Sequence, residues 1–266
     1  MPAPQPRTAS AARPRSAAGP AAAAVRPVLR SEWAKIRSVR ALCAALLALL
    51  LGSTCASLLA CGLHDGSGGS GDDFEPVSHS FYGLPFGQIA AVSFGVLAVT
   101  SEYSHGGIRL SLAAVPRRGL LLFGKLAVIG GLALAAGVFT AMASFAGGQA
   151  LLGDDGTDLG APGAVRALVG CALHLALLAL LSAGTAAVVR GPVAALGVLV
   201  PLLFLLAPVL GTESAVIQFL PGQAGQQILH PDPEGTLGAW PGMAVMAGWT
   251  ALAVGAGWAA LRRRDA

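Results

Sequence analysis

The sequence predicts an all-α, polytopic membrane protein with six transmembrane helices, and three observations carry that reading. First, 55% of the 266 residues are hydrophobic and only 11% are charged, which is too apolar for an ordinary soluble domain. Second, six apolar runs are each long enough to cross ~30 Å of hydrocarbon, which takes roughly 17 to 25 helical residues. Third, the charges between these runs are sorted by sign. The turns alternate between basic and acidic, so a nucleic-acid partner is a poor explanation of the pI of about 9.2.

Taken in order, residues 1–24 are rich in Ala and Pro, carry Arg7, Arg13 and Arg15 without apolar periodicity, and are expected to be a disordered tail. The first apolar run opens only near Ala41, beyond the reach of a cleavable signal, and reads as a retained span. Residues 25–40 place Val25, Leu29, Trp33 and Ile36 at helical spacing among Arg26, Arg30, Lys35, Arg37 and Arg40. That pattern predicts an N-terminal amphipathic interfacial helix, either an elbow that helps cup a partner or an anchor that sets topology. The spans are expected over residues 41–63, 81–100, 119–147, 164–189, 192–211 and 237–261. Span two is the weakest, with Pro85 near its outer end, but Phe81, Tyr82 and Phe86 make an aromatic belt at that interface.

Charge sorting then sets the expected topology. Asp65, Asp72, Asp73 and Glu75 lie in the first loop, Asp154, Asp155 and Asp158 in the third, and Glu213, Asp232 and Glu234 in the fifth. Every Lys and Arg except Arg166 falls in the N-terminal region, the central loop, the Arg190 turn or the Arg262–Arg264 tail. Only six crossings with both termini in the cytoplasm gather those cations on one side.

Within the spans, Gly130, Gly131, Gly137, Gly170, Ala183, Gly184, Gly248, Gly255 and Gly257 are expected to let helices approach closely. Pro201 and Pro208 should kink span five. Cys43, Cys55, Cys61 and Cys171 show no CxxC or Cys/His spacing and read as buried apolar side chains. His174 is the clear intramembrane ionisable residue, either satisfied by a neighbouring helix or a substrate or proton site. No GxxxxGK[ST], HExxH or GxSxG stretch occurs, so no enzyme and no chain-bound cofactor is expected. Residues 213–229, with Ile217, Phe219, Leu220, Pro221 and Gln227, are too apolar for a free loop and too interrupted to span. They read as two short re-entrant helices or an interfacial hairpin.

The central loop, TSEYSHGGIRLSLAAVPRRGLLLFGK over residues 100–125, is more particular than topology requires. An acid, Glu102, follows span two; then come Gly106 and Gly107, the aliphatic Ile108 and Leu112 flanking Arg109, then Pro116 with Arg117 and Arg118, and Lys125 opening span three. This order resembles the cytoplasmic coupling loop of ABC-2 type permeases, the membrane subunits of type V ABC exporters. Residues 31–40 and the LRRRDA tail look like those of actinobacterial members. The resemblance covers nearly everything from Val28 onward and treats residues 25–266 as one transmembrane domain. It implies a cytoplasmic coupling helix between helices 2 and 3, near residues 104–114, seated on a separately encoded ABC ATPase, with Glu102 and Arg109 as polar contacts. Residues 217–229 would be outer gate helices. It also implies ATP and Mg on the partner ATPase, a second permease copy as homodimer or paralogue heterodimer, and a bacterial plasma membrane location. The expected function is export of an amphipathic drug, peptide or lipid. The alternative is a non-transporting scaffold or immunity protein that binds a partner or a toxic peptide. A proton-driven transporter fits less well, because no acid sits in the middle of a span.

Overall fold

A computed structural model of the chain describes residues 22–64, 74–104, 118–210, 216–230 and 237–264. All described secondary structure is helical. The elements are α1 (Ala22–Ser38), α2 (Arg40–Gly62), the short α3 (Pro76–His79), α4 (Leu84–Ser104), α5 (Arg118–Leu152) and α6 (Ala164–Val189). They are followed by α7 (Pro192–Val200), α8 (Leu206–Leu210), α9 (Pro221–Gln226) and α10 (Ala239–Arg264).

Six helices among the described residues are long and apolar enough to cross a membrane: Arg40–Gly62, Leu84–Tyr103, Leu121–Asp155, Ala164–Val189, Pro192–Val209 and Ala239–Arg263. The protein is therefore an all-α polytopic membrane protein. The second span starts three residues later than Phe81, because residues 80–83 are spent in a turn in which Phe81 is buried and Tyr82 is exposed. At 1.5 Å per residue the 35-residue α5 is about 50 Å long, longer than a hydrocarbon layer of ~30 Å.

Four helices form a closed ring in the order α2, α4, α6, α5, with α4 and α5 on one diagonal. Around it, α10 lies along α6, α7 along α4, and α1 along α5. Alternating chain direction gathers Arg40, Arg190 and Arg262 at one end of the ring, the basic end, and Glu75, Asp154 and Asp155 at the other.

Small residues permit the tightest crossings. A Cβ on Gly95 would lie 2.2 Å from the Ala179 carbonyl oxygen, and one on Gly184 would lie 2.6 Å from the Ala253 carbonyl carbon. Gly137 and Gly257 are also packed on neighbouring backbone, at Ala172 and Gly184. Gly131, Gly248 and Gly255 differ from expectation: nothing lies within 4 Å of a Cβ built there. Their helices turn those faces away from the described remainder of the chain.

In span five the missing amide of Pro201 has a specific consequence. The helix widens into a π turn over Pro201–Leu205 before resuming as α8, because a helix that loses a backbone donor can re-pair with a longer turn.

Candidate functional site: an ionic ring at the base of the central loop

One stripe of α1 packs toward α5. Ile36 and Glu32 are buried, Leu29 is half-buried, and Trp33, Arg30 and Arg37 face outward. The carboxylate of Glu32, only 2% exposed, is thus carried into the protein by the same stripe that carries Ile36. An isolated buried carboxylate is costly, and burial at this site demands counter-charges.

They come from α1 itself and from α5, and a second carboxylate joins them from α4. Lys35 Nζ donates to Glu32 Oε1 at 2.7 Å and to Glu102 Oε1 at 2.7 Å. Lys125 Nζ donates to Glu32 Oε2 at 2.6 Å and lies 3.0 Å from Glu102 Oε1. The four groups alternate in sign around a closed ring, so every charge has two opposite neighbours and the net charge is zero. Through them α1 is joined to the end of α4 and to the first two turns of α5. Two small cavities, of about 20 and 30 Å³, flank the Glu102–Lys125 pair, each roomy enough for a water molecule on a polar wall.

The next residue extends the connection. Arg190 lies over the Tyr103 ring, 5.3 Å from its centroid, and itself adopts a left-handed conformation, φ 63°, at the turn between α6 and α7. Glu102 and Tyr103 together therefore bind α4 to α1, α5 and the α6–α7 turn, directly before the central loop. No family model matches the chain, and no curated protein matches it.

Of the residues singled out in the central loop, Gly106, Gly107, Ile108, Arg109, Leu112, Pro116 and Arg117 lie outside the described residues. Arg118 opens α5. Glu102 and Lys125 are brought together, and Lys35 joins them from the interfacial-helix set. Glu102 is turned inward, its side chain only 10% exposed. Sequence reasoning misses Glu32, although it is the one acid in the first 64 residues. A lone acid in a segment otherwise charged only by Lys and Arg is a signal for a buried pair.

Burial disfavours the charge of Lys35, but hydrogen bonds and attraction from Glu102 and Glu32 outweigh it and raise its pKa above the ordinary 10.5. A raised lysine pKa gives stability that is fully present below the unfolded value and lost as pH rises through the folded one. The melting temperature of the detergent-solubilised chain should therefore fall as pH climbs past about 10.5. In Lys35→Met this alkaline step should shrink, as a pH series of melting curves would record.

The opposite end holds a second cluster. Ile217–Phe219 and Gln227–Leu229 are 3-10 turns on either side of α9. Arg166 Nη2 donates to the His230 carbonyl at 2.6 Å, and the Ser78 hydroxyl lies 3.3 Å from the Leu229 carbonyl. Trp249 Nε1 donates to the Phe219 carbonyl at 3.0 Å, and Gln218 Oε1 accepts from Leu237 N at 3.0 Å. Leu220 and Pro221 are buried, Ile217 and Gln227 half-buried, and Phe219 exposed. Arg166, the single cation on the acidic side of the chain, is thus used to hold this segment. Gln149 ties the neighbouring loops, donating to the Pro76 carbonyl and to Ser80 Oγ at 2.9 Å each while accepting from Thr157 N.

Between α4 and α6, Gln88 Nε2 and His174 Nε2 are 3.1 Å apart. His174 is fully buried and its Nδ1 has no hydrogen-bond partner among the described residues.

Proposed function

We propose that this chain is the membrane permease subunit of an ABC exporter of the ABC-2 type, which moves an amphipathic drug, peptide or lipid when a separately encoded ATPase closes on bound ATP and Mg. The observation that carries the reading is the paired attachment of Glu102 and Tyr103. It makes the base of the central basic loop a point where force on that loop reaches α1, α5, α6 and α7 together. A loop that only connected two spans has no need of a buried four-charge ring at its root.

In this reading both termini and the loop are cytoplasmic, following the side on which cations are retained, in a bacterial plasma membrane. Trp33, Arg30 and Arg37 of α1 rest in the headgroup layer. Arg109, Arg117 and the neighbouring Ile108 and Leu112 meet the ATPase, while Glu102 anchors the loop rather than contacting the partner. ATPase closure shifts the loop, the ionic ring passes the shift to rigid helices, and residues 217–229 yield at the other end of the molecule. Coupling of this kind requires the ATPase to bind two permease states with different affinity. A second copy of the chain, or a related chain, completes the pathway.

The test is co-purification and reconstitution with a separately encoded ABC ATPase. Reversing two loop charges, Arg109→Glu with Arg117→Glu, should abolish permease-stimulated ATP hydrolysis while leaving the melting temperature of the permease unchanged. Nucleotide-independent partner binding that survives the double reversal would instead establish a non-transporting scaffold. Reagent access to Arg117→Cys from outside the cell would overturn the export reading altogether.

A further inference from the structure

A buried ring nitrogen without a partner is uncommon in native structures and calls for a reason. His174 presents one. Its Nε2 is taken by Gln88, whose own side chain is buried. With the Gln88 amide nitrogen donating in that bond, the proton of the neutral imidazole is assigned to Nδ1. An N–H donor therefore points away from Gln88 with nothing among the described residues to accept it. What it faces is α9: a Cβ on Gly225 would lie 2.1 Å from His174 Nδ1. Only a residue without a side chain can cover the ring this closely.

The cover lies close against three neighbouring elements. Gly222 rests on the Leu203 carbonyl, where a Cβ would approach to 2.9 Å, and Leu203 belongs to the π turn of span five. Ala224 faces Gly242 of α10, and Ile228 fills the gap left by Gly170 of α6. Among the hydrogen bonds that hold the segment are those from Arg166 to the His230 carbonyl and from Trp249 to the Phe219 carbonyl, with the Ser78 hydroxyl at the Leu229 carbonyl. π turns are frequent at functional sites in helices, and the cover leans on the one in span five.

We propose that the Gln88–His174 pair is a latent recognition site for a carbonyl oxygen of an amphipathic molecule, and that Pro221–Gln226 is its removable roof. When the roof lifts, Nδ1–H gains a site for an acceptor. Leu175, Ile228 and Met246 are among the fully buried residues of this part of the fold, and such surroundings penalise an ionised ligand group. A neutral ester or amide carbonyl meets both demands. Lipid esters and peptide amides share that chemistry. The inference rests on the export reading only in taking the ligand to be the cargo.

The experiment uses the full chain in nanodiscs and diethyl pyrocarbonate, which modifies accessible neutral imidazoles, read by mass spectrometry with the exposed His230 as internal reference. In the wild type His174 stays protected. Removing two of the roof's attachments in R166A/W249F, each a hydrogen bond to a backbone carbonyl of this segment, should raise His174 labelling by about tenfold or more. G225A, whose methyl group cannot share space with Nδ1, should raise it independently. Three probes are then added to the released variants: an oleoyl lysophosphatidylcholine ester, its ether-linked analogue, and an N-oleoyl dipeptide amide. Protection by the ester alone identifies a lipid source, protection by the amide alone a peptide-like source, and protection by both a site that reads the carbonyl. Labelling that stays flat in both variants overturns the roof. Protection that is absent for all probes, or equal for the ether, overturns the recognition site. No readout involves the ATPase, so a failure of nucleotide coupling would sink the export reading and leave this result standing.

Discussion

Replacing Lys125 with Met should destabilise the protein by about 3–5 kcal/mol, the range for removing one partner of a buried ionic group, measured by SDS-induced unfolding in mixed micelles. Lys125 is 10% exposed and carries ion pairs from α5 to both glutamates, so solvent cannot replace it. The alternation of charge makes a sharper expectation. Exchanging one neighbouring pair, E102K/K125E, rescues a simple two-residue salt bridge but not a ring. It would set the new ammonium at position 102 against Lys35 and the new carboxylate at position 125 against Glu32. That variant should be no more stable than the worse of its two single variants. Inverting all four positions, E32K/K35E/E102K/K125E, restores alternation and should recover more than half of the loss. Recovery by the pair exchange alone would show that the four groups act as separate pairs.

Gly95→Val should separate α4 from α6. The added Cβ would sit 2.2 Å from the Ala179 carbonyl oxygen and 3.0 Å from Ser182 Cβ. Backbone on the far side cannot rotate away as a side chain can. Overpacking costs about 1–3 kcal/mol where neighbours can relax, and this site belongs at the top of that range. Gly131→Val is the control, since nothing lies within 4 Å of its Cβ. It should change stability by no more than about 0.5 kcal/mol. Similar losses at the two positions would mean that helix propensity, rather than helix approach, governs both. Disulfide cross-linking between cysteines introduced on α4 and α6 distinguishes separation of the helices from loss of the whole fold.

The contrast between Gly95 and Gly131 separates what a linear sequence carries from what it does not. A glycine in an apolar run announces a possible close approach, but not whether its face meets a neighbour. The same holds for α1. Its helical spacing marks Leu29, Trp33 and Ile36 as one apolar side, yet the packed stripe runs through Glu32 and leaves Trp33 outward. An amphipathic pattern ranks residues by polarity and gives no account of a polar side chain whose partners come from residues 102 and 125. Gln88 is invisible for a similar reason. A single amide near the start of a span has no pattern, and becomes informative only when a histidine 86 positions later lies against it.

Six apolar helices, their alternation through a membrane and the segregation of charge between their ends are legible in the linear chain. Each depends on how a residue partitions between water and hydrocarbon, a property of short stretches that needs no neighbour. The neutral ring of Glu32, Lys35, Glu102 and Lys125, the close cover of Gly225 over His174, and the distinction between packed and open glycines came only with the folded arrangement. Those depend on distances of a few ångströms between segments far apart in the chain. In a medium too poor in water to solvate a stray charge, such distances decide whether a buried ion is stable or forbidden.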